Sequence, residues 1–307
     1  MKEKILKPLK SLRWIALLSV ALWACQDDSD SISTEQAKQQ SNVTIRDNSE
    51  IIAATQGAME LTGDIFDEEG ISSGRASSSG RIQHGDHHDD GGCKPIISGS
   101  FELDKTHKDS LIYKGTLVID YGDGSTCDST DVKKGKITDT FLFILTWGDS
   151  VTFTSTETLT FEGFVRDSVQ LDGTFVTTKV DRHTKTVEAQ DVKITYPDTT
   201  SVSWSGILNF VYDHGDKCKW KDNTIHVTGS IDGTNREGAD FSLVITEELV
   251  FKYKCNKHRR SHPVSGVVEV TVGGVVSTID FGDGSCDKTY TITTNGLTEE
   301  ITFDKHH

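Results

Sequence analysis

The chain has 307 residues, of which 35% are hydrophobic and 26% are charged, with 27 glycines, 4 prolines and a net charge of −15. This composition excludes collagen, coiled coils and multi-span membrane proteins. The 47 acidic residues outnumber the 32 basic ones. Nucleic acid is therefore not an expected partner, because phosphate binding requires a surplus of lysine and arginine.

The first 24 residues have the features of an export signal. Basic side chains precede a short apolar run over residues 14–22, which is too short to span a membrane. The run ends at Leu22-Trp23-Ala24-Cys25, which resembles the bacterial lipoprotein box, in which the cysteine becomes lipidated and N-terminal. The resemblance implies a triacylated Cys25 that anchors the chain to a membrane. An ordinary secreted protein with a chance cysteine is the alternative.

An acidic stretch, Gln26-Asp27-Asp28-Ser29-Asp30, follows the cysteine. It resembles the surface-export signal of Bacteroidota lipoproteins and implies the outer membrane, with the protein facing outward; a solvated linker is the alternative. Residues 1–24 carry five basic and one acidic side chain, so their removal changes the net charge from −15 to −19. Such a charge favours solubility and attracts cations.

Three short segments are expected before the main domain. Residues 25–46 are polar and predict a lipidated flexible tether. Residues 47–69 predict a short helix, because Asp47 and Glu50 form a capping-box pattern ahead of a rough apolar face. Residues 70–92 are rich in His, Asp, Gly and Ser and predict a linker.

From residue 93 to 307 the pattern is that of β-strands. In the stretch 151–161, apolar residues stand at odd positions and threonine at even ones, which places the two sets on opposite faces of a sheet. We count roughly a dozen such runs with short polar turns, which favours antiparallel pairing. The predicted fold is therefore all-β and antiparallel, as a sandwich, a barrel or a large curved sheet.

Two stretches of this β region match each other. One contains Asp120-Tyr121-Gly122-Asp123-Gly124 and the other Asp280-Phe281-Gly282-Asp283-Gly284, and a fainter third copy spans 206–218. The match predicts a duplicated unit. In each strong copy, Asp-Gly predicts a tight turn with positive φ between two strands.

Cysteine spacing follows the same repeat. The strong copies pair Cys93 with Cys127 and Cys255 with Cys286, at separations of 34 and 31 residues. The repeat predicts two disulfides and leaves Cys218 as an odd thiol. The alternative is that all five cysteines after Cys25 are reduced.

The aspartates of the repeat suggest a calcium site. Carboxylates gathered around a turn, with backbone carbonyls nearby, suit the six to eight oxygen ligands that calcium prefers. The alternative is that these residues cap turns. The candidate ligands are Asp120, Asp123 and Asp128 in one copy, and Asp280, Asp283 and Asp287 in the other.

The lipoprotein box together with these repeated segments resembles a family of uncharacterised Bacteroidota surface lipoproteins over most of residues 47–303. That resemblance implies a location but no activity. A competing resemblance is to PKD-like modules, which are Ig-like sandwiches that contain the string found at 280–284.

The sequence favours a non-catalytic surface protein with a structural or adhesive role. It contains no His-Glu-x-x-His motif and no phosphate-binding loop, so an enzyme is not expected. The alternative is a glycan- or calcium-binding accessory lipoprotein of a nutrient-uptake system, because sugar-binding proteins often expose tryptophan rings. The tryptophans beyond the signal are Trp147, Trp204 and Trp220.

Overall fold

The structure, a computed structural model, describes a single antiparallel sheet of fourteen strands. The described residues are 79–83, 95–124, 132–166, 168–181, 183–215, 222–255, 262–287 and 289–302. The strands are β1 (Ser79–Gln83), β2 (Ile96–Asp104), β3 (Ser110–Gly122), β4 (Lys134–Thr146), β5 (Thr152–Arg166), β6 (Val169–Lys179), β7 (Thr184–Thr195), β8 (Ser201–Asp213), β9 (Thr224–Thr234), β10 (Asp240–Lys252), β11 (Ser265–Val272), β12 (Val275–Asp283), β13 (Thr289–Thr294) and β14 (Leu297–Thr302).

The sheet is a simple meander, because each strand pairs with the strands before and after it in sequence. The predicted all-β, antiparallel fold is confirmed. Of the three architectures left open, the structure has one large sheet, and within the described residues no pairing joins β14 to β1. A 3-10 turn, Tyr253–Cys255, follows β10. No helix among the residues that the structure describes is long and apolar enough to cross a membrane.

The segments ahead of residue 93 are only partly described. The predicted tether 25–46 and the predicted helix 47–69 lie outside the described residues. Strand β1 falls inside the predicted linker 70–92 and pairs along its whole length with β2. The sheet therefore begins before residue 93, where the β region was expected to start.

One face of the sheet is apolar and buried, and we call it the inner face; the opposite face is the outer face. The inner face follows from the period of two along each strand, which brings paired residues of neighbouring strands onto the same side. Ile137, Phe175 and Phe210 on this face are fully buried. One row of directly paired residues on it runs through Leu117, Asp139, Leu159, Phe175, Ala189, Gly206, Ile231, Leu243, Val270, Ser277 and Thr294.

A line of β-bulges crosses five neighbouring strands, β3 to β7. The register shifts once at each of these pairings, and a residue with positive φ stands at each shift. Bulges bend a strand and increase its twist, so a continuous line of them bends the sheet. The residues are Gly122 (φ 60°), Gly135 (φ 80°), Gly163 (φ 58°), Gly173 (φ 117°) and Asp191 (φ 50°).

The repeated Asp-Gly segments do turn the chain with positive φ, at Gly124 and Gly284. They do not by themselves join two strands, however. In the first copy the turn follows the end of β3 at Gly122, and β4 begins only at Lys134. The prediction of a tight turn between strands is therefore corrected: the turn opens a longer connection.

Candidate functional site

The first aspartate of each strong repeat copy caps its own turn. The N–H of Gly122 donates to Asp120 Oδ1 at 2.8 Å, and the N–H of Gly282 donates to Asp280 Oδ1 at 2.8 Å. This is the local bond with which Asp stabilises a turn. The two turns follow β3 and β12, which eight other strands separate in the sheet. The sheet therefore does not bring the two predicted ligand sets together by strand pairing.

The remaining aspartates of the second copy are also engaged by their neighbours. Ser285 donates its N–H to Asp283 Oδ1 at 3.0 Å and its hydroxyl to Asp287 Oδ2 at 2.8 Å, and the N–H of Thr289 donates to Asp287 Oδ1 at 3.2 Å. Hydrogen bonds from Ser285 lower the pKa of both carboxyls. These carboxylates are thus stabilised as anions without a metal.

Turn capping is the common arrangement in this sheet. Asp104 and Asp198, which no repeat copy contains, accept N–H bonds from Thr106 and Thr200 in the same way. Asp123 is exposed, and Asp128 lies outside the described residues. Within the described ranges no three metal-ligating side chains gather. A calcium site on these aspartates stays a prediction.

The disulfide predicted for the second repeat copy is present. Cys255 and Cys286 are bonded, with their Cα atoms 5.4 Å apart. The bond joins the 3-10 turn after β10 to the loop after β12. Beside it, Lys252 Nζ donates to the carbonyl of Gly284 at 2.6 Å. Cys93, Cys127 and Cys218 lie outside the described residues, so the second predicted pair stays a prediction.

Removing this disulfide is expected to destabilise the fold. The bond closes a loop of 31 residues, so replacing Cys255 and Cys286 by serine should lower the free energy of unfolding by about 2–4 kcal/mol. Urea unfolding of the double variant and the wild type measures this loss. Adding reductant to the double variant then reports on the predicted Cys93–Cys127 bond. A double variant as stable as the wild type would contradict the expected contribution.

The outer face carries an open, hydroxyl-lined groove across β2 to β5. Ser100, Thr116, Thr140 and Thr158 are paired in one row across these strands. The hydroxyls of Thr116 and Thr140 lie 3.3 Å apart. The groove has a volume of about 690 Å³, and Lys114 and Glu102 form an exposed ion pair in it at 3.2 Å.

The inner face contains an acidic residue at the level of its apolar core. Asp139 on β4 is 2% exposed and lies directly between Leu117 and Leu159. Within the described part of the chain its Oδ1 has no hydrogen-bond partner. Burial, with a smaller contribution from the charge of Glu157, raises the pKa of Asp139 to about 8. The carboxyl is therefore protonated at neutral pH, and it can donate a hydrogen bond.

Three further charged residues lie near Asp139 on the inner face. Glu157 on β5 lies one row along, paired with Phe141 and Thr177. Lys179 on β6 and Lys185 on β7 face each other directly across their strands. Burial raises the pKa of the Glu157 carboxyl, and the two lysines oppose this shift. Since both lysines influence Glu157, the three groups form one electrostatic cluster.

Aromatic rings line the same face beside this cluster. Phe101, Tyr113, Phe143 and Phe153 stand on four successive strands, β2 to β5, with successive ring centroids 5.7, 6.3 and 6.1 Å apart. Phe141 lies 5.1 Å from Tyr113 and 5.3 Å from Phe143. All five rings are partly exposed. This end of the inner face is therefore more open than the rows around Phe175.

The inward charges were not anticipated from the sequence, although a signal exists. Asp139 stands in the alternation Ile137, Asp139, Phe141, Phe143, in which its neighbours at the same period are all apolar. Glu157 likewise interrupts a run in which the other residues of its parity face inward. A charged residue at an apolar position of a period-two pattern points inward with its neighbours. Applied to each strand, that rule would have identified both carboxyls.

The tryptophans divide between core and surface. Trp204 is 2% exposed, and its ring lies 6.5 Å from that of Phe175. Trp147 is 39% exposed at the end of β4. Trp220 lies outside the described residues. Core packing thus accounts for one of the three rings considered for sugar binding, and Trp147 is left as a surface candidate.

Comparison with known proteins leaves the family open. No family of known proteins, no curated protein and no solved structure matches the chain. The resemblance to Bacteroidota surface lipoproteins accordingly stays a prediction. The string at 280–284, on which the resemblance to PKD-like modules rests, lies at the end of β12. Strands β13 and β14 follow it in the same continuous sheet.

Proposed function

We propose that the protein is a non-catalytic lipoprotein with a structural or adhesive role, anchored by lipid at Cys25 and facing outward from the outer membrane. The export signal, the cysteine after Ala24 and the acidic stretch that follows support the location. The tether between Cys25 and the sheet would hold the sheet away from the membrane. The proposed partner in this role is a surface protein, whereas a glycan would be the partner in the second role described below.

The observation that carries the adhesive role is the outer-face groove. Its hydroxyl side chains stand at fixed spacings, because they belong to paired positions of one sheet. A sheet of this kind presents hydrogen-bonding groups with little ordering cost when a partner binds. Leu142, which is 37% exposed, adds an apolar contact to the same groove.

The second candidate is a glycan-binding accessory protein of an uptake system. The groove favours it because serine and threonine hydroxyls both donate and accept hydrogen bonds, as sugar hydroxyls do. The partly exposed ring of Trp147 offers an apolar surface of the kind on which sugar rings pack. A calcium-binding accessory role would depend on the repeat aspartates.

One experiment tests both roles on whole cells. Cells that produce the full chain are probed with a fluorescent glycan panel and with matrix-type surface proteins. We expect the wild type to bind at least one probe, and we expect Thr140→Arg with Thr156→Arg to abolish binding, because both exposed threonines line the groove. Bound glycan supports the accessory role, and bound protein supports adhesion.

The control variant is Thr228→Arg with Ser230→Arg, which adds the same charge to exposed positions of β9 outside the groove. It should bind like the wild type. External protease added to the intact cells should degrade the protein, and full protection would refute the outward orientation. Equal binding by both double variants would refute the role of the groove.

A further inference from the structure

The inner face brings two lysines together at a position that an isolated sheet would not favour. Lys179 and Lys185 are directly paired across β6 and β7 and are partly buried. Like charges that face each other directly across strands destabilise a sheet. Lys179 makes no hydrogen bond or close ion pair within the described part of the chain. Two lysine side chains on directly paired positions favour a bound anion.

The chain as a whole makes this pair unusual. The net charge is −15, so a site for anions has to be built locally. Of the charged groups around the pair, Glu157 lies within electrostatic reach of both lysines, whereas Asp139 is protonated at neutral pH. The two lysines, Glu157 and Asp139 together therefore carry a net positive charge at neutral pH. They lie among the apolar side chains of the inner face.

Aromatic rings continue the lysine row along the sheet. Tyr113, Phe143, Ser155, Lys179 and Lys185 are directly paired in that order across β3 to β7. The rings stand on the first strands of this row and the ammonium groups on the last. A molecule lying across the strands would meet apolar surface first and positive charge at its end. That is the charge pattern of an amphiphile with an anionic head.

The pairing of the rows indicates one chain rather than two. The partly exposed apolar surface covers three neighbouring rows, which contain Phe101 and Phe141, then Tyr113 and Phe143, then Leu111, Leu145 and Phe153. Beyond the first of these rows lie the buried side chains of Leu117 and Leu159. Only the middle row leads to Lys179 and Lys185, so one alkyl chain can lie along it with its head group at the lysines.

We propose that the inner face between β2 and β7 binds a single-chain amphiphile with a carboxylate head group, which Lys179 and Lys185 hold while its alkyl chain packs on Tyr113, Phe143 and Phe153. The ammonium groups donate hydrogen bonds to the carboxylate oxygens. Lys185 Nζ already lies 4.9 Å from the Phe210 ring centroid, which positions it on this face. The proposal does not depend on the adhesive role of the outer face.

The test is photocrosslinking in isolated membranes that contain the full chain. The probe is a palmitate analogue with a diazirine in its chain and a terminal alkyne, and its methyl ester serves as the uncharged probe. We expect the acid to label peptides within residues 95–213. We expect the ester to label them roughly tenfold less, because it loses the hydrogen bonds to charged groups. Isolated membranes prevent metabolic attachment of the probe to Cys25.

The variant Lys179→Gln with Lys185→Gln should lower labelling by the acid roughly tenfold as well. Its control, Lys134→Gln with Lys193→Gln, removes two exposed lysines of β4 and β7 and should be labelled like the wild type. Equal labelling of the wild type by acid and ester would overturn the proposal, and so would label confined to other peptides. Equal labelling by a photoactivatable phosphatidylglycerol would overturn the assignment to a single-chain ligand.

Discussion

Replacing Asp139 by Asn is expected to remove most of a steep pH dependence of stability. The folded-state pKa of about 8 lies well above 3.8, the ordinary pKa of an aspartate. Between these two values the folded state binds a proton that the unfolded state has lost. The free energy of unfolding of the wild type therefore falls as pH rises through this window, by up to about 1.4 kcal/mol for each pH unit.

Across the whole window the shift is large. Between pH 4 and pH 8 the wild type should lose about 4–6 kcal/mol of its free energy of unfolding relative to the Asp139→Asn variant. The amide keeps the size of the side chain but has no proton to lose. Urea unfolding at pH 4, 5, 6, 7 and 8 measures the two slopes. Asp232→Asn, at an exposed position of β9, is the matched control and should follow the wild type.

Part of the pH dependence belongs to Glu157. Burial raises the pKa of its carboxyl as well, and Lys179 and Lys185 oppose that shift. The Asn variant should therefore retain a weaker slope of the same sign. If the variant and the wild type have parallel stability profiles between pH 4 and 8, Asp139 is not buried as a neutral acid.

Much of the fold could be predicted from the period of two. In β5 the threonines at even positions and the apolar residues at odd ones do lie on opposite faces, so Leu159 and Phe161 are buried. Short polar turns predicted antiparallel pairing, and all neighbouring strands are antiparallel. Periodicity is local, however. It cannot say whether the last strand meets the first, so it left three architectures open.

The site was harder to predict, for a physical reason. The repeat pointed to aspartates that are prominent in sequence, such as Asp283, but these are satisfied by turn bonds within two residues. Lys179 and Lys185 stand in unremarkable strands and become neighbours only when pairing places them opposite each other on the inner face. A cluster of side chains from neighbouring strands therefore cannot be recognised in the sequence until the register of the strands is known. The Cys255–Cys286 disulfide was predictable because the two cysteines occupy positions in their repeat copy that match those of Cys93 and Cys127 in the other.

Bulges were also missed, since a glycine in a strand pattern does not reveal its φ. Gly135 has φ 80°, and a Cβ atom there would lie 2.1 Å from the carbonyl oxygen of Gly163 on β5. Gly173, with φ 117°, approaches the backbone of Val192 in a similar way, at 2.5 Å. These close approaches link β4 to β5 and β6 to β7. The bend of the sheet over its inner face therefore depends on residues that carry no side chain.

Gly135→Ala is accordingly expected to lower the free energy of unfolding by about 2–5 kcal/mol. The left-handed conformation costs a residue with a Cβ roughly 1–2 kcal/mol, and displacing packed backbone adds about 1–3 kcal/mol. The contacting atoms are the backbone of Glu162 and Gly163, so no flexible side chain can move aside. Thermal and urea unfolding of the purified chain measure the loss.

Gly148→Ala is the matched control. It lies in the turn after β4, its φ is not in the left-handed region, and a Cβ atom there would meet nothing within 4 Å. Its free energy of unfolding should stay within about 0.5 kcal/mol of the wild type. If both alanine variants unfold like the wild type, the close approach of β4 to β5 at the bulge does not exist in solution. In that case the line of bulges would not be the source of the bend that buries the inner face.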